Sequence, residues 1–348
     1  MILEWIKTVL LVPLLGSYFV VAPGLETEPS PYPGDSIDDI AIWVNQAEPS
    51  KSLILTTLKA SNQQPVKETG ILVYSLDGRQ VQFLAGGTPN NIDIRYTADR
   101  KSEVIAVSHW FSGNVTLHHI DHRTLKIVAG HQPFATGTPR LAGVCLYQAP
   151  TTGLIYYIVT GKDGDLALFQ IEDGYENHKL ISRFKLDSAT EGCVVDDTNQ
   201  VLYIAEESTG VWQFDLASAQ LQAPRLIVQA GFLKPLTSDV EGLTLYDDGD
   251  SGGYLLISSQ GNDEYAVIDR NTHKHIANFS IITANGIDGT SHTDGIDLTN
   301  VDLGPDFPGG VFIAQDDNNT ADNKQLYQNL KLVPLNEILH KLNKLKYD

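Results

Sequence analysis

The sequence predicts an all-β chain folded as a six-bladed β-propeller with antiparallel four-stranded blades. Three observations carry this. Two-strand units of similar build begin near Leu53, Val104, Ile155, Val201, Tyr254 and Val311, a recurrence of roughly 50 residues, in the range of propeller blades. Within one unit, Asp239 to Asp269, three short β runs are joined by tight turns and read as an antiparallel meander. Each unit also begins on polar residues and ends its first strand on one, so two polar rings are expected around one end of a central axis. Lys59, His109, Lys162, Glu206-Glu207, Gln260 and Gln315-Asp316 end the strands. Asp38-Asp39, Asn90 to Asp93, Gly143, Glu191, Asp239 to Glu241 and Asp294 to Asp297 open the runs.

The chain has 348 residues, 42% of them hydrophobic, enough for one large all-β domain. Residues 1–24 stand apart: Thr8 to Ala22 is apolar, with Lys7 before it, and reads as a secretory signal peptide, with a membrane anchor as the alternative. Residues 25–34 are Pro-rich and aperiodic and are expected to be flexible, and 35–348 form the propeller. A secreted or periplasmic location follows. The 24 basic side chains against 43 acidic ones give a net charge of −19, which excludes a nucleic-acid footprint and is compatible with bound cations.

Asp35-Ser36-Ile37-Asp38-Asp39 precedes the first propeller strand with more carboxylates than a turn requires. Lys59 ends the next strand and is a candidate anion contact. Asn91, Asp93 and Arg95 alternate onto one strand face. Arg95 there either offers a bidentate fork to phosphate or pairs with Asp93. Cys145 and Cys193 fall in corresponding strands of successive units, either as a disulfide of an exported protein or as two buried thiols. Lys162 matches Lys59. The meander brings Asp239 and Glu241 to the edge that carries Gln260, Asn262 and Asp263, a set of oxygen ligands that suits a hard cation such as calcium. The Asp- and Gly-rich loop Ile287 to Leu298, with Asp288, His292, Asp294 and Asp297, is read as part of that cation site. Asp39 and Asp316 complete the candidate metal set. The tail carries Leu335, Ile338, Leu339, Leu342 and Leu345 on one face, an amphipathic helix docked on the domain.

The segments DSIDDIAIW, NNIDIRY, VTGKDG, EGCVVDD followed by LYIAEE, DVEGLTLY, SSQGN, IDGTSHTDGID and LGPDFPGGVFIAQDD run in order from Asp35 to Ile338. Through them the chain resembles the β-propeller phytases, the alkaline calcium-dependent phytases. The resemblance implies a 3-phytase type phosphoric monoester hydrolase acting on phytate, or calcium-phytate. Several calcium ions at the axial mouth would hold the substrate phosphates and a water that attacks phosphorus without a phosphoenzyme. It implies calcium ligands at Asp38, Glu191, Glu207, Asp239, Glu241, Gln260, Asp288 and Asp294, and phosphate contacts at Lys59, Arg95 and Lys162. Glu241, Asp239, Asp294 and these three cations form the candidate catalytic set, in a protein expected to be a monomer. The chain departs from the family at Ala60, which is followed by an insertion through Glu68, and at Ala142, Ile40 and His292. No GxSxG, HExxH or Cys-His pattern supports a covalent route. Two other readings stay open: a different calcium-dependent propeller hydrolase, and a non-catalytic propeller that binds calcium and inositol phosphate.

Overall fold

The computed structural model describes residues 16–59, 68–97, 100–130, 132–249, 252–322 and 324–345. They form six antiparallel four-stranded blades of a β-propeller. Blade one comprises Ile37–Trp43, Leu53–Leu58, Gly70–Ser75 and Gln80–Ala85; blade two Pro89–Tyr96, Glu103–His109, Asn114–Asp121 and Lys126–Ala129. Blade three comprises Leu141–Gln148, Ile155–Gly161, Asp165–Glu172 and Asn177–Lys185; blade four Thr190–Asp196, Val201–Glu206, Gly210–Asp215 and Arg225–Gln229. Blade five comprises Val240–Asp247, Gly253–Ser259, Glu264–Asp269 and His275–Ile281; blade six Ile296–Thr299, Val311–Asp316, Asn329–Pro334 and the N-terminal Leu25–Glu26. The second strands start where the repeat places them, within two residues. The insertion after Lys59 falls almost wholly on residues 60–67, outside those described.

Each blade twists, and its two faces bury apolar side chains against its neighbours. Trp43, Leu55, Ile71, Ile92, Ile105 and Val107 fill the seam between blades one and two. Phe279, Phe312, Val333 and Ile338 fill the seam between blades five and six. The helix Leu335–Leu345 buries Leu335, Ile338 and Leu342 on that seam, with Leu339 and Leu345 packed at its edge.

The N-terminal segment packs on the propeller from Ser17 on. Ser17–Val21 pairs in parallel with His275–Ile281 and gives blade five a fifth strand. Phe19 and Val21 are buried there and Tyr18 is exposed, with Phe19 stacked on Phe279 at 5.3 Å between ring centres. Residues 1–15 lie outside the described residues. The segment 25–34 is not loose either. Leu25 and Glu26 pair with Leu332 and Lys331, and Thr27 and Ser30 are buried. The ring of blades is thus closed by strands from both ends of the chain.

The six inner strands line an axial tunnel, and their axis-facing N–H groups have no neighbouring strand to bond. Carboxylates take that role. Asp39 accepts from Ile92 N–H at 3.2 Å, Asp93 from Leu146 N–H at 2.7 Å, and Asp297 from Ile42 N–H at 2.8 Å. Each stitches one inner strand to the next. Asp39, expected among the metal ligands, is therefore turned down the tunnel, where burial pushes its carboxyl up to about 8. Arg95 faces the same space. Its guanidinium donates to Asp93 at 3.2 Å, to Asp197 at 3.1 Å and to the Val195 carbonyl at 3.0 Å. A cavity of about 460 Å³ at this level is lined by Asp39, Asp93, Arg95, Asp197 and Asp297. Arg95 lies five residues beyond Asn90 along an extended strand, about 16 Å down the tunnel at ~3.3 Å per residue. Arg95, expected as a phosphate contact at the mouth, is thus placed in the tunnel, paired with Asp93 and Asp197.

Cys145 and Cys193, on the inner strands of blades three and four, are joined by a disulfide with their Cα atoms 5.9 Å apart.

Two outcomes follow. Arg95→Ala should lower stability by about 3 kcal/mol, because it leaves Asp93 and Asp197 without their cation, while KM and kcat of the folded fraction stay unchanged. Denaturant melts together with steady-state kinetics check this, and a KM change at full folding would restore Arg95 to the mouth. Opening the disulfide by Cys145→Ala with Cys193→Ala releases a loop of 48 residues' separation. That should cost about 4 kcal/mol, read as a lower urea midpoint that no longer responds to reductant.

Candidate metal and phosphate site

Every inner strand of blades one to five carries a bulge at the same level. The register shifts between Ile37 and Ile40, Pro89 and Ile92, Leu141 and Val144, Thr190 and Cys193, and Val240 and Leu243. The first residues of the bulges are Asp38, Asn90, Ala142, Glu191 and Glu241. Asp294, just before the inner strand of blade six, holds the corresponding place. The second residue is glycine in four of the six blades, from Gly143 through Gly192 and Gly242 to Gly295. A Cβ on Gly192 would lie 2.1 Å from the Glu241 carbonyl oxygen, and one on Gly242 2.6 Å from that of Asp294. The glycines let neighbouring blades touch backbone to backbone. Gly242 N–H donates to the Asp294 carbonyl at 2.9 Å and Gly295 N–H to that of Asp38 at 3.0 Å. This contact sets the bulge side chains in one ring at the tunnel mouth.

The ring is acidic and short of cations. Lys59 Nζ bonds Asp38 at 2.6 Å, Asp35 at 2.8 Å and Asp294 at 3.3 Å. Lys162 Nζ bonds Glu191 and Glu207. Asn90 donates to Glu191 at 2.6 Å, and Gln260 donates to Asp294 at 2.5 Å. Glu191, Glu207 and Glu241 bring carboxylate oxygens within 4.8 Å of one another, a cluster able to hold a metal ion. Asp239 sits at the exposed rim, its carbonyl accepting from Gln260 N–H at 2.9 Å.

Electrostatics expose the imbalance. Burial and the neighbouring Glu191 carboxylate hold Glu241 well above the usual carboxylate range. Asp38 is likewise raised, by burial and by Glu191, Asp294 and Asp35, although Lys59 opposes this. Asp294 is pushed up to about 6, chiefly by burial. For Glu191 burial raises, but Lys162 and Lys59 outweigh it and hold the carboxyl low. The buried Asp38 Oδ2 has no hydrogen-bond partner. Carboxylates without sulfur or imidazole, some raised by burial and mutual repulsion and one with an orphaned oxygen, fit a hard divalent cation.

Asp38, Glu191, Glu207, Glu241, Gln260, Asp294, Lys59 and Lys162 lie together at the mouth, with Asp239 at its rim. Asp288 and Asp316 are not part of this ring. Both face the fully buried Lys331, Asp288 in a direct hydrogen bond and Asp316 at 3.4 Å, with Glu26 at 2.6 Å on the same ammonium. Asp316 turns away because successive strand residues alternate between faces: it points to the seam, and Asp317, one residue on, takes the ring position. The same offset removes His109, which is buried with Nε2 2.7 Å from Thr116 Oγ1. Trp110 holds its place. Trp110, Asp317 and Asn90 were legible from the rule that the residue after each second strand, and the first of each bulge, faces the mouth.

A phytase family model matches residues 15–347. The chain is 37% identical over 340 residues to a 3-phytase of Bacillus subtilis (strain 168), covering 94% of this chain and 87% of that protein. Among solved structures it is similar to an auxiliary nutrient binding protein from Bacteroides thetaiotaomicron VPI-5482. The TM-score is 0.55 at 12% identity, over 90% of this chain and 76% of that one, a likeness of fold alone. A family match over nearly the whole length, on a propeller whose acidic mouth assembles in the order the motifs require, makes this chain a member of the phytase family.

Proposed function

We propose that this chain hydrolyses phosphomonoesters of phytate, myo-inositol hexakisphosphate, releasing inorganic phosphate in a calcium-dependent reaction. The observation that carries the reading is the mouth of a phytase-family propeller where, among the described residues, Asp38, Glu191, Glu207, Glu241 and Asp294 are paired with no cation but Lys59 and Lys162. As it stands, this mouth repels a polyanion. Calcium ions held by Glu191, Glu207, Glu241, Asp239 and Gln260 on one side, and by Asp38 and Asp294 on the other, would supply the missing positive charge and polarise a water toward phosphorus.

The chain's own residues then have distinct tasks. Glu241, which has the weakest claim on any internal donor, supplies ligand oxygen. Asn90 and Gln260 orient Glu191 and Asp294 through their amides. Lys59 and Lys162 are held among carboxylates, whose charges outweigh the opposing effect of burial and keep them protonated. They turn their remaining N–H donors to phosphate oxygens as the carboxylates are engaged elsewhere. Asp288 and Asp316, already answered by Lys331, support the closing blade. The disulfide suits an exported protein, which supports a secreted or periplasmic location.

Phosphate release from phytate, measured with calcium and after chelation, tests the reading. Chelation should abolish turnover and lower Tm, since a ligand bound only by the folded state adds stability by mass action. Activity and Tm that are both indifferent to chelator would refute it. Glu241→Gln removes one of several mutually repelling buried carboxylates. The chelated variant should therefore melt at or above the chelated wild type, gain less from calcium, and lose roughly 10- to 100-fold or more in kcat. A variant with the full calcium response and normal turnover would take Glu241 out of the site.

A further inference from the structure

The strand registers make the second-strand ends of blades one, two and three equivalent. Ile37 pairs with Leu58, Pro89 with His109, and Leu141 with Gly161. The next residues are Lys59, Trp110 and Lys162. Blade two thus presents an indole between two ammonium groups. Its bulge neighbour in blade three, Ala142, offers no polar atom.

A cation nonetheless stands at that place. The guanidinium of Arg140, one residue before the inner strand of blade three, lies 5.7 Å from the centre of the Trp110 ring. The Arg140 carbonyl accepts from Lys162 N–H at 3.1 Å, which fixes the residue beside the lysine of the mouth. Arg140 has a φ of 45°, in the left-handed region that a branched-out side chain enters only where its surroundings hold it. Its Nη1 donates to Asp163 at 3.1 Å, and both side chains remain open to solvent, at 57% and 42% exposure. An exposed pair of this kind is weak, so Asp163 is a partner that a stronger anion displaces.

We propose that Arg140, seated on the Trp110 ring, is a specificity-determining residue that binds a second phosphate of the substrate, one not undergoing hydrolysis. The proposal rests on the phytate reading above. A cation over an indole face loses mobility and keeps its in-plane N–H groups for acceptors, and a guanidinium fork matches two phosphate oxygens. The site would thereby favour highly phosphorylated inositols over monoesters.

The test is steady-state hydrolysis of phytate and of p-nitrophenyl phosphate at saturating calcium, with calorimetric binding of a non-hydrolysed inositol polysulfate alongside. Arg140→Ala should raise KM for phytate about 3- to 10-fold, as expected for a partly exposed charged contact, with kcat within about twofold and the monoester unaffected. Arg140→Lys should restore only part, because it lacks the fork. Asp163→Asn should shift KM the other way by releasing the guanidinium, and Trp110→Leu should weaken phytate and polysulfate binding together. An unchanged phytate KM and polysulfate affinity in Arg140→Ala would overturn the proposal, and so would an equal loss on the monoester. A wild type without calcium-dependent phytate hydrolysis would sink both readings; an active wild type with an indifferent Arg140→Ala would sink this one alone.

Discussion

The close approach of neighbouring inner strands at the bulge level is the constraint on which the mouth depends. Gly192 and Gly242 stand where any side chain would collide with the carbonyl of the next blade. With glycine there, the preceding residue of each bulge is swung toward the axis and held by backbone rather than by its own interactions. Carboxylates can therefore be placed side by side at a cost in local electrostatics that the rest of the fold bears. Glu241 shows this most plainly: it is 6% exposed and raised by its neighbours, in a position no internal pairing would select.

Elsewhere the protein handles buried charge differently. Lys331, with no exposure, gathers Glu26, Asp288 and Asp316 and ties the N-terminal strand to the last blade. Arg270 forms a two-point pair with Asp196 at 2.6 Å on each bond and joins blades four and five. Arg95 spans Asp93 and Asp197 in the tunnel. In each cluster one cation gathers its acids around it, as a buried charge requires if it is not to destabilise the fold. At the mouth Lys59 and Lys162 are likewise held among carboxylates, but they pair with Asp38, Asp294, Glu191 and Glu207 and leave Glu241 raised by burial and its acidic neighbours. That contrast separates a functional acidic cluster from structural ones in a chain whose acidity is general.

The strand periodicity and the 50-residue recurrence reflect period-2 burial and blade repetition, both local, so the six blades and the positions of their second strands were legible in the sequence. So were the mouth carboxylates on or beside the bulges, because Glu191-Gly192, Glu241-Gly242 and Asp294-Gly295 repeat one local device. Lys59 and Lys162 follow from the same register.

What only the tertiary structure decided was the direction of side chains one residue out of step, and the fate of segments with ambiguous composition. Asp316 and His109 end strands as expected, yet they face the seams, because a one-residue offset reverses the face. Asp39 and Arg95 belong to the right strand but to the tunnel, where unpaired N–H groups and carboxylates of other blades claim them. Ser17–Val21 became an edge strand through a pairing partner more than 250 residues away, and the Cys145–Cys193 link needed two blades to be adjacent. Composition and spacing determine which residues recur; which of them meet depends on long-range contacts that a local pattern does not encode.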